Sequence, residues 1–378
     1  MKTKVLLSCG ICLLLGALAI QAQSYSFNMS ALTTFGNNGW LAPNGQDGST
    51  YTYLTTGNTE RGLAYGDGDL FLVSRNGGNN VRILNPLSGA DLGSLNISGV
   101  SGGTFAVNMV TVGGDGTVYV GNLTTSATSP FNLYAWTPGN FSSAPTLVYS
   151  ANPLGGGTRL GDDLASIGSG ASTTLVGGYG AGSSGYQVIS IPSIGVNSGT
   201  ATGVSFTGTP PNAGDFRLGI TFTDSSHVLG SQGSSLYRYS SFSGASGTLL
   251  GSPNFPDPAG ATADRLMAYT VLDGIPLLAV QSTGDSHVSI YDETDPNNPV
   301  YLGAGDNTIS PTANPNATGE LAWGATTYNA DGTVSEDLYA MGSNQGIQAF
   351  IVTVPEPATA GMMLLGIGVF AFWRKARR

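Results

Sequence analysis

Six polar or charged residues recur at one place in a repeated pattern: Arg61, Asn108, Asp163, Arg217, Arg265 and Glu320. Each belongs to a short run in which Leu or Met is followed by small and apolar residues. The runs are RGLAY (61–65), VNMVT (107–111), DDLAS (162–166), FRLGI (216–220), DRLMAY (264–269) and GELAW (319–323). Anchored on Gly62, Asn108, Asp163, Arg217, Arg265 and Glu320, the steps are 46, 55, 54, 48 and 55 residues. Further acids stand beside these positions at Glu60, Asp162, Asp215 and Asp264, and Arg159 lies close by. A guanidinium is a rigid planar fork of donors that suits carboxylates and other planar acceptors. The set therefore predicts either Arg–carboxylate pairs that tie repeated units together, or a polar pocket that orients a small ligand or glycan. A third chemistry is hydrolysis or lysis of a polysaccharide by two of the carboxylates, which requires them at glycosidase spacing.

Other constellations are weaker. Asp292, Asp295 and Asn297 in DETDPNNPV offer oxygens at the short spacing that Ca²⁺ accepts, but the Gly and the closing Glu of an EF-hand loop are missing. They are weak metal candidates against plain turn chemistry. His227 and His287 are the two histidines, 60 residues apart, and make a poor metal site without cysteine. No G-x-S-x-G elbow accompanies the many serines. The Gly-rich GGGTRLGDD and GYGAGSSGY lack the lysine of a phosphate loop. No catalytic residue is assigned, no cofactor is expected, and the leading expectation is a protein that is not an enzyme. Trp40, Trp136 and Trp323, with Tyr51, Tyr53, Tyr134, Tyr237 and Tyr239, would stack on sugar rings if exposed; their alternation with polar residues favours core packing instead.

The elements that position these residues read as strands. Behind each run lies a second strand, for example DLFLVSR from Asp69 and TVYVGNL from Thr117, and a third, such as NVRILNP from Asn80 and FNLYAWTP from Phe131. Fourth strands follow in five units, among them PTLVYS (145–150) and VYLGAG (300–305). Glycine, at 57 of 378 residues, is about twice its usual share, and it sits with Asp and Asn in turns between the strands. Four strands per unit of about 50 residues predicts an all-β chain folded as a β-propeller, with six blades and seven as the alternative. An open sandwich or solenoid is the competing arrangement, and it would need distinct caps at both ends. The sixth unit lacks its fourth strand. STYTYLTT (49–56) is the expected donor that closes the ring from the N-terminal side.

The charges are segregated. Lys2 and Lys4 lie at one end, and Arg374, Lys375, Arg377 and Arg378 at the other. Between them, setting aside Glu356 of the C-terminal segment, stand seven arginines against 22 acidic residues, a net charge of about −15. Such a body repels nucleic acid and anionic membranes, and suits cations, basic partners or neutral glycans. Both cysteines, Cys9 and Cys12, fall in the first segment, so the body holds no disulfide, thiolate metal site or cysteine nucleophile.

Lys2 and Lys4, an apolar core over residues 5–20 and a small residue at Ala22 describe a secretory signal peptide. At the other end Pro355-Glu356-Pro357 precedes 16 uncharged residues (358–373), which are followed at once by the basic cluster. This predicts a short membrane-spanning helix with the body outside and the basic tail inside. The expected divisions are 1–22 signal peptide, 23–48 lead segment, 49–353 propeller and 354–378 sorting segment.

The order Pro355-Glu356-Pro357, apolar helix and basic tail resembles the PEP-CTERM sorting signal of Gram-negative bacteria. That resemblance implies that an exosortase acts at the motif and frees the protein from a transient inner-membrane anchor to the cell surface or exterior. It also implies an association with exopolysaccharide and biofilm, and hence a glycan or exopolysaccharide as partner. TTGNTERGLAY, LFLVSRNGG and VRILNPLSGADLG, within residues 55–93, further resemble a family of exported propeller-like domains of unknown function, which implies the fold and no activity.

Overall fold

The computed structural model describes residues 27–355, apart from residues 181, 209, 233–235, 257–262 and 306–311. The expected signal peptide, the expected membrane-spanning segment and Glu356 onward lie outside the described residues. Among the described residues no helix is long and apolar enough to cross a membrane.

The chain is all-β and propeller-like. It begins with β1 (Asn28–Ala31) and β2 (Trp40–Leu41), which are taken up again below. Four-stranded antiparallel sets then follow in order. The first is β3 (Glu60–Gly66), β4 (Asp69–Ser74), β5 (Asn80–Leu84) and β6 (Asp91–Ser94). The second is β7 (Phe105–Val112), β8 (Val118–Leu123), β9 (Phe131–Trp136) and β10 (Thr146–Ala151). Next come β11 (Ala165–Ile167), β12 (Thr173–Gly178), β13 (Tyr186–Ile191) and β14 (Thr200–Phe206), then β15 (Gly219–Asp224), β16 (His227–Ser231), β17 (Arg238–Ser243) and β18 (Ser246–Gly251). A short parallel pairing of β14 with β18 joins these two sets into one eight-stranded sheet. β19 (Asp264–Leu272), β20 (Ile275–Ser282), β21 (Val288–Asp292) and β22 (Val300–Gly305) form the set after that. The last contains β23 (Gly319–Tyr328), β24 (Thr333–Gly342) and β25 (Gly346–Pro355).

The leading strands of the sets pack on one another in sequence, β3 on β7, β7 on β11, and so on to β23, which returns to β3. Each junction has its own apolar core. Phe71, Val73, Val110, Val118 and Trp136 fill the junction between the first two sets. Leu63, Leu70, Tyr339, Met341 and Ile347 join the last set to the first. Strand alternation supplies both layers, because successive side chains leave opposite faces of each sheet. The tryptophans pack rather than present themselves: Trp136 Nε1 donates to the Asn96 carbonyl at 3.1 Å, and Trp323 Nε1 crosses to the Ala268 carbonyl of the preceding set at 3.0 Å.

The missing outer strand of the last set comes from the N-terminal side, but not from the expected stretch. β1 pairs antiparallel with β25, Asn28 opposite Thr353 and Ala31 opposite Phe350, and β2 extends the same edge with Trp40 opposite Gln348. Residues 49–56 are turn and irregular chain, with Tyr53 and Leu54 buried in the core of the closing junction. Two tyrosines alternating with threonines read as strand, yet here they plug a junction. Residues 28–41 add to an existing edge and build no further sheet.

Glycine does more than turn. A Cβ on Gly178 of β12 would stand 1.7 Å from the Phe216 carbonyl oxygen, and one on Gly219 of β15 would stand 1.9 Å from that of Arg265. Both are backbone atoms, one in the connection that leads into β15 and the other in β19, so neither neighbour yields easily. These glycines let adjacent sets converge near the axis.

Two outcomes are expected. Gly219→Ala lowers the unfolding free energy by about 1–3 kcal/mol, as overpacking does, in urea denaturation; an unchanged midpoint would refute the close approach. An Asn28→Cys/Thr353→Cys pair, in a body without other cysteines, oxidises to a cross-link that stabilises the ring by about 2–4 kcal/mol, read as a reducible rise in Tm.

Candidate functional site

The six positions singled out in the sequence are linked by contacts that run from set to set. Arg61, on β3, donates from Nη1 to Thr318 Oγ1, just before β23, and from Nη2 to the Asn58 carbonyl at 3.2 Å. Asn108, on β7, donates to the Gly161 carbonyl at 2.6 Å and accepts from Arg75 Nη1 at 3.1 Å. Asp163 lies just ahead of β11, and its Oδ2 accepts from the Ile220 amide of β15 at 2.5 Å. Arg217 reaches back to Asp162, Nε to Oδ2 at 3.0 Å. Arg265 stands next to Arg217, and the two positive charges act on each other.

Asp163 and Glu320 form the buried centre of this cluster. Asp163 is 2% exposed and Glu320 7%. Burial pushes the Asp163 carboxyl up to about 6, against the hydrogen bonds from Glu320, Ile220 and Leu164, which favour its ionised form. Glu320 is held well above the usual carboxylate range by burial first and by the Asp163 charge second. The two carboxyls act on each other, and their backbone partners differ. Asp163 accepts two backbone N–H groups, from Leu164 at 2.6 Å and Ile220 at 2.5 Å. Glu320 accepts only the Leu321 amide at 3.3 Å, so the ionised form is better supported on Asp163 than on Glu320.

Above this pair the channel widens into a cavity of about 200 Å³ lined by Tyr65, Val112, Ser166, Tyr269 and Trp323, with Glu320 in its wall. Carboxyls in direct hydrogen bond are far closer than the roughly 5–9.5 Å that glycoside hydrolysis uses. Asp162, the other acid here, is 4% exposed and held by Arg159, Nη2 to Oδ1 at 2.6 Å, as well as by Arg217. The carboxylates of this cluster are thus occupied with one another or with arginine.

The arginines are gathered. Five of the seven in the body, Arg61, Arg75, Arg159, Arg217 and Arg265, share this cluster. Arg75 was not foreseen as a site residue. It follows β4, whose antiparallel pairing sets Ser74 opposite Glu60, so the hairpin returns Arg75 to the side of Arg61. Its guanidinium carbon lies 3.6 Å from the centroid of the Phe105 ring. Burial, and then the Arg61 charge, lowers its pKa to about 10, leaving it protonated at neutral pH. Burial lowers Arg61 and Arg265 likewise.

The remaining sequence candidates do not join this cluster. Asp292 Oδ1 accepts from the Thr294 amide at 2.8 Å and its hydroxyl at 2.6 Å. Asp295 accepts from the Asn297 amide at 3.0 Å and Asn298 Nδ2 at 2.6 Å. Both carboxylates, with Asn297, are engaged in turn bonds, and among the described residues no three His, Cys, Asp or Glu side chains group as metal ligands. His227 pairs with Asp224 at 2.9 Å. Pro355 is the last residue of β25, opposite Thr333.

The comparisons with known proteins agree with this architecture. A domain of unknown function, DUF4623, matches residues 16–219, more than half of the chain. The chain belongs to the DUF4623 family. The PEP-CTERM protein-sorting motif matches residues 353–378, and implies an exported protein of Gram-negative bacteria, processed by an exosortase and sorted to the cell surface. Among solved structures, a DUF4623 family protein from Bacteroides eggerthii is similar over 79% of this chain and 71% of its own, at 16% identity and a TM-score of 0.57, a likeness of fold. The periplasmic gluconolactonase PpgL of Pseudomonas aeruginosa covers 79% of this chain and 88% of its own at 12% identity, but with a TM-score of 0.40 it carries no argument about activity. No curated protein matches the chain in sequence.

Groups with raised folded pKa values make stability depend on pH. Asp163 titrates near 6, Glu336 near 7 and Glu293 near 8, each raised first by burial, whereas their unfolded counterparts titrate near 4. Between pH 4 and 8 the folded chain holds more protons than the unfolded one, so stability is fullest at the acid end of that window and falls as pH rises. Tm is expected to fall between pH 5 and 8. Glu320→Gln, which keeps a neutral donor facing Asp163, should flatten that slope in scanning calorimetry. A Tm that rises with pH would contradict the assignment.

Proposed function

We propose that this DUF4623 protein is a non-enzymatic saccharide-binding module of the cell surface. In this reading a six-bladed propeller, exported through residues 1–22 and anchored for a time by residues 358–373, presents its arginine-rich channel mouth to exopolysaccharide after exosortase processing. The observation that carries it is the gathering of five of seven body arginines at one mouth of an otherwise acidic molecule. Evenly scattered arginines would serve solubility; gathered ones create a local field opposite in sign to the rest of the surface. The successive junction cores, with the last set packed on the first, support the six-bladed count.

The alternative, a polysaccharide hydrolase or lyase acting through mouth carboxylates, fits this geometry less well. It needs two acids with room for a sugar and water between them, and Asp163, Glu320 and Asp162 leave none.

Two measurements test the proposal. The processed protein is expected to show saturable binding on a glycan array without turnover of any hit; turnover would transfer the case to the enzyme. Glu356→Ala is expected to leave the protein in the membrane fraction by blotting, while the wild type is released. Release of the variant would overturn the sorting route.

A further inference from the structure

Beside the channel mouth lies a cleft of about 490 Å³ lined by Asn58, Arg61, Arg75, Asn79, Phe105 and Asn316, among others. Its volume is in the range of small-ligand sites. Arg61 and Arg75 stand together here because one carbonyl, that of Asn58, accepts from both, at 3.2 and 3.3 Å. Their other bonds go to neutral groups, Thr318 and Asn108. Neither forms an ion pair among the described residues, whereas Arg82, Arg159, Arg217 and Arg238 each do. Two acids act on these charges from nearby: Asp162 on Arg61, though it is ion-paired with Arg159 and Arg217, and Glu60 on both, its Oε1 taken by the Thr55 amide and the Thr59 hydroxyl at 2.9 and 2.8 Å.

Two half-buried guanidiniums side by side, without a counter-charge in contact, repel one another and give up hydration. Arg61 Nε is buried and lacks any hydrogen-bond partner. A guanidinium carries five N–H donors, and each of these two spends only a pair of nitrogens on the protein. The arrangement is complete only with an anion that accepts several N–H bonds at once. Phe105, 40% exposed, holds the Arg75 plane flat and leaves apolar surface at the cleft. Asn79 and Asn316, both exposed, add amide groups suited to hydroxyls. A bare inorganic anion would use the guanidiniums and leave the ring and the amides idle.

We propose that the Arg61–Arg75–Phe105 cleft binds the carboxylate of an acidic sugar, a uronic acid unit of a polysaccharide. The inference rests on the saccharide-binding reading above and adds the charge and the place of the ligand. The guanidiniums take the carboxylate, the aromatic edge meets the C–H face of the ring, and the amides reach its hydroxyls. Because the rest of the body is strongly acidic, a long polyuronate engages only at this positive patch, so binding weakens as salt screens it.

The test is calorimetric titration of the processed protein with trigalacturonic acid, with neutral galactotriose, and with sodium sulfate. Trigalacturonate is expected to bind, galactotriose at least about tenfold more weakly, as loss of a charged hydrogen-bonded pair predicts, and sulfate more weakly than trigalacturonate. Arg75→Gln should weaken trigalacturonate by about tenfold or more. Asn79→Asp, an exposed change that leaves the fold alone, should do the same by reversing the local field. Phe105→Leu should weaken trigalacturonate and leave sulfate unchanged. Equal binding of both trisaccharides, or trigalacturonate binding that survives Arg75→Gln and Asn79→Asp, overturns this inference while the saccharide-binding reading stands. Sulfate as tight as trigalacturonate makes the cleft a site for free anions and also overturns it. No binding of either trisaccharide, with an empty glycan array, removes both readings.

Discussion

The fold depends on one noncovalent closure, the pairing of β1 with β25. Every other four-stranded set is made from consecutive chain, so its hydrogen bonds close locally. The last set borrows its outer strand from the opposite end of the sequence, Asn28 against Thr353. Without that strand β25 would present a row of unpaired backbone donors and acceptors, and the first and last sets would have to hold together through their shared apolar core alone. The strand is only four residues long, and β2 prolongs its hold at Trp40, whose indole N–H also donates to the Gln345 carbonyl at 2.9 Å. A short closure with a second, separate grip ties the two ends of the chain into one cooperative unit.

At the centre, a different economy operates. The leading strands can approach because glycine stands at close contacts such as Gly178 and Gly219, and the space left at the axis is shared by side chains from opposite sides of the ring. Asp163 and Glu320 meet there, both buried and both raised by burial above the usual carboxylate range. Asp162 and the arginines surround them, and the whole end is polar while the junctions beside it are apolar. The mouth is therefore both structural and rich in arginine. Arg217 is bound into the frame through Asp162, whereas Arg61 and Arg75 are held by neutral partners and retain their charge toward the cleft.

Much of this was legible in the sequence. The repeated runs from RGLAY to GELAW do form or lead into β3, β7, β11, β15, β19 and β23, because an axial strand must pack on both neighbours and that demand leaves a recurring small-apolar pattern. Arg61, Asn108, Asp163, Arg217, Arg265 and Glu320 stand at one position of that recurring pattern. The closing strand did not. NMSA has little alternation of its own, and its place is dictated by the open edge of β25, whereas YTYLTT alternates well and packs as a plug through Tyr53. Arg75 was hidden for a related reason: it ends a second strand, and only the hairpin register between β3 and β4 shows that it returns to Arg61. Glycine counts spoke for turns, but not for the backbone approaches at the axis, which no local pattern marks.

The last strand also has a bearing on processing. β25 runs to Pro355, the first residue of the Pro-Glu-Pro motif, which is paired with Thr333, and β1 begins beside it at Asn28, opposite Thr353. The sorting motif therefore starts inside the sheet, and its first proline belongs to the fold as much as to the signal.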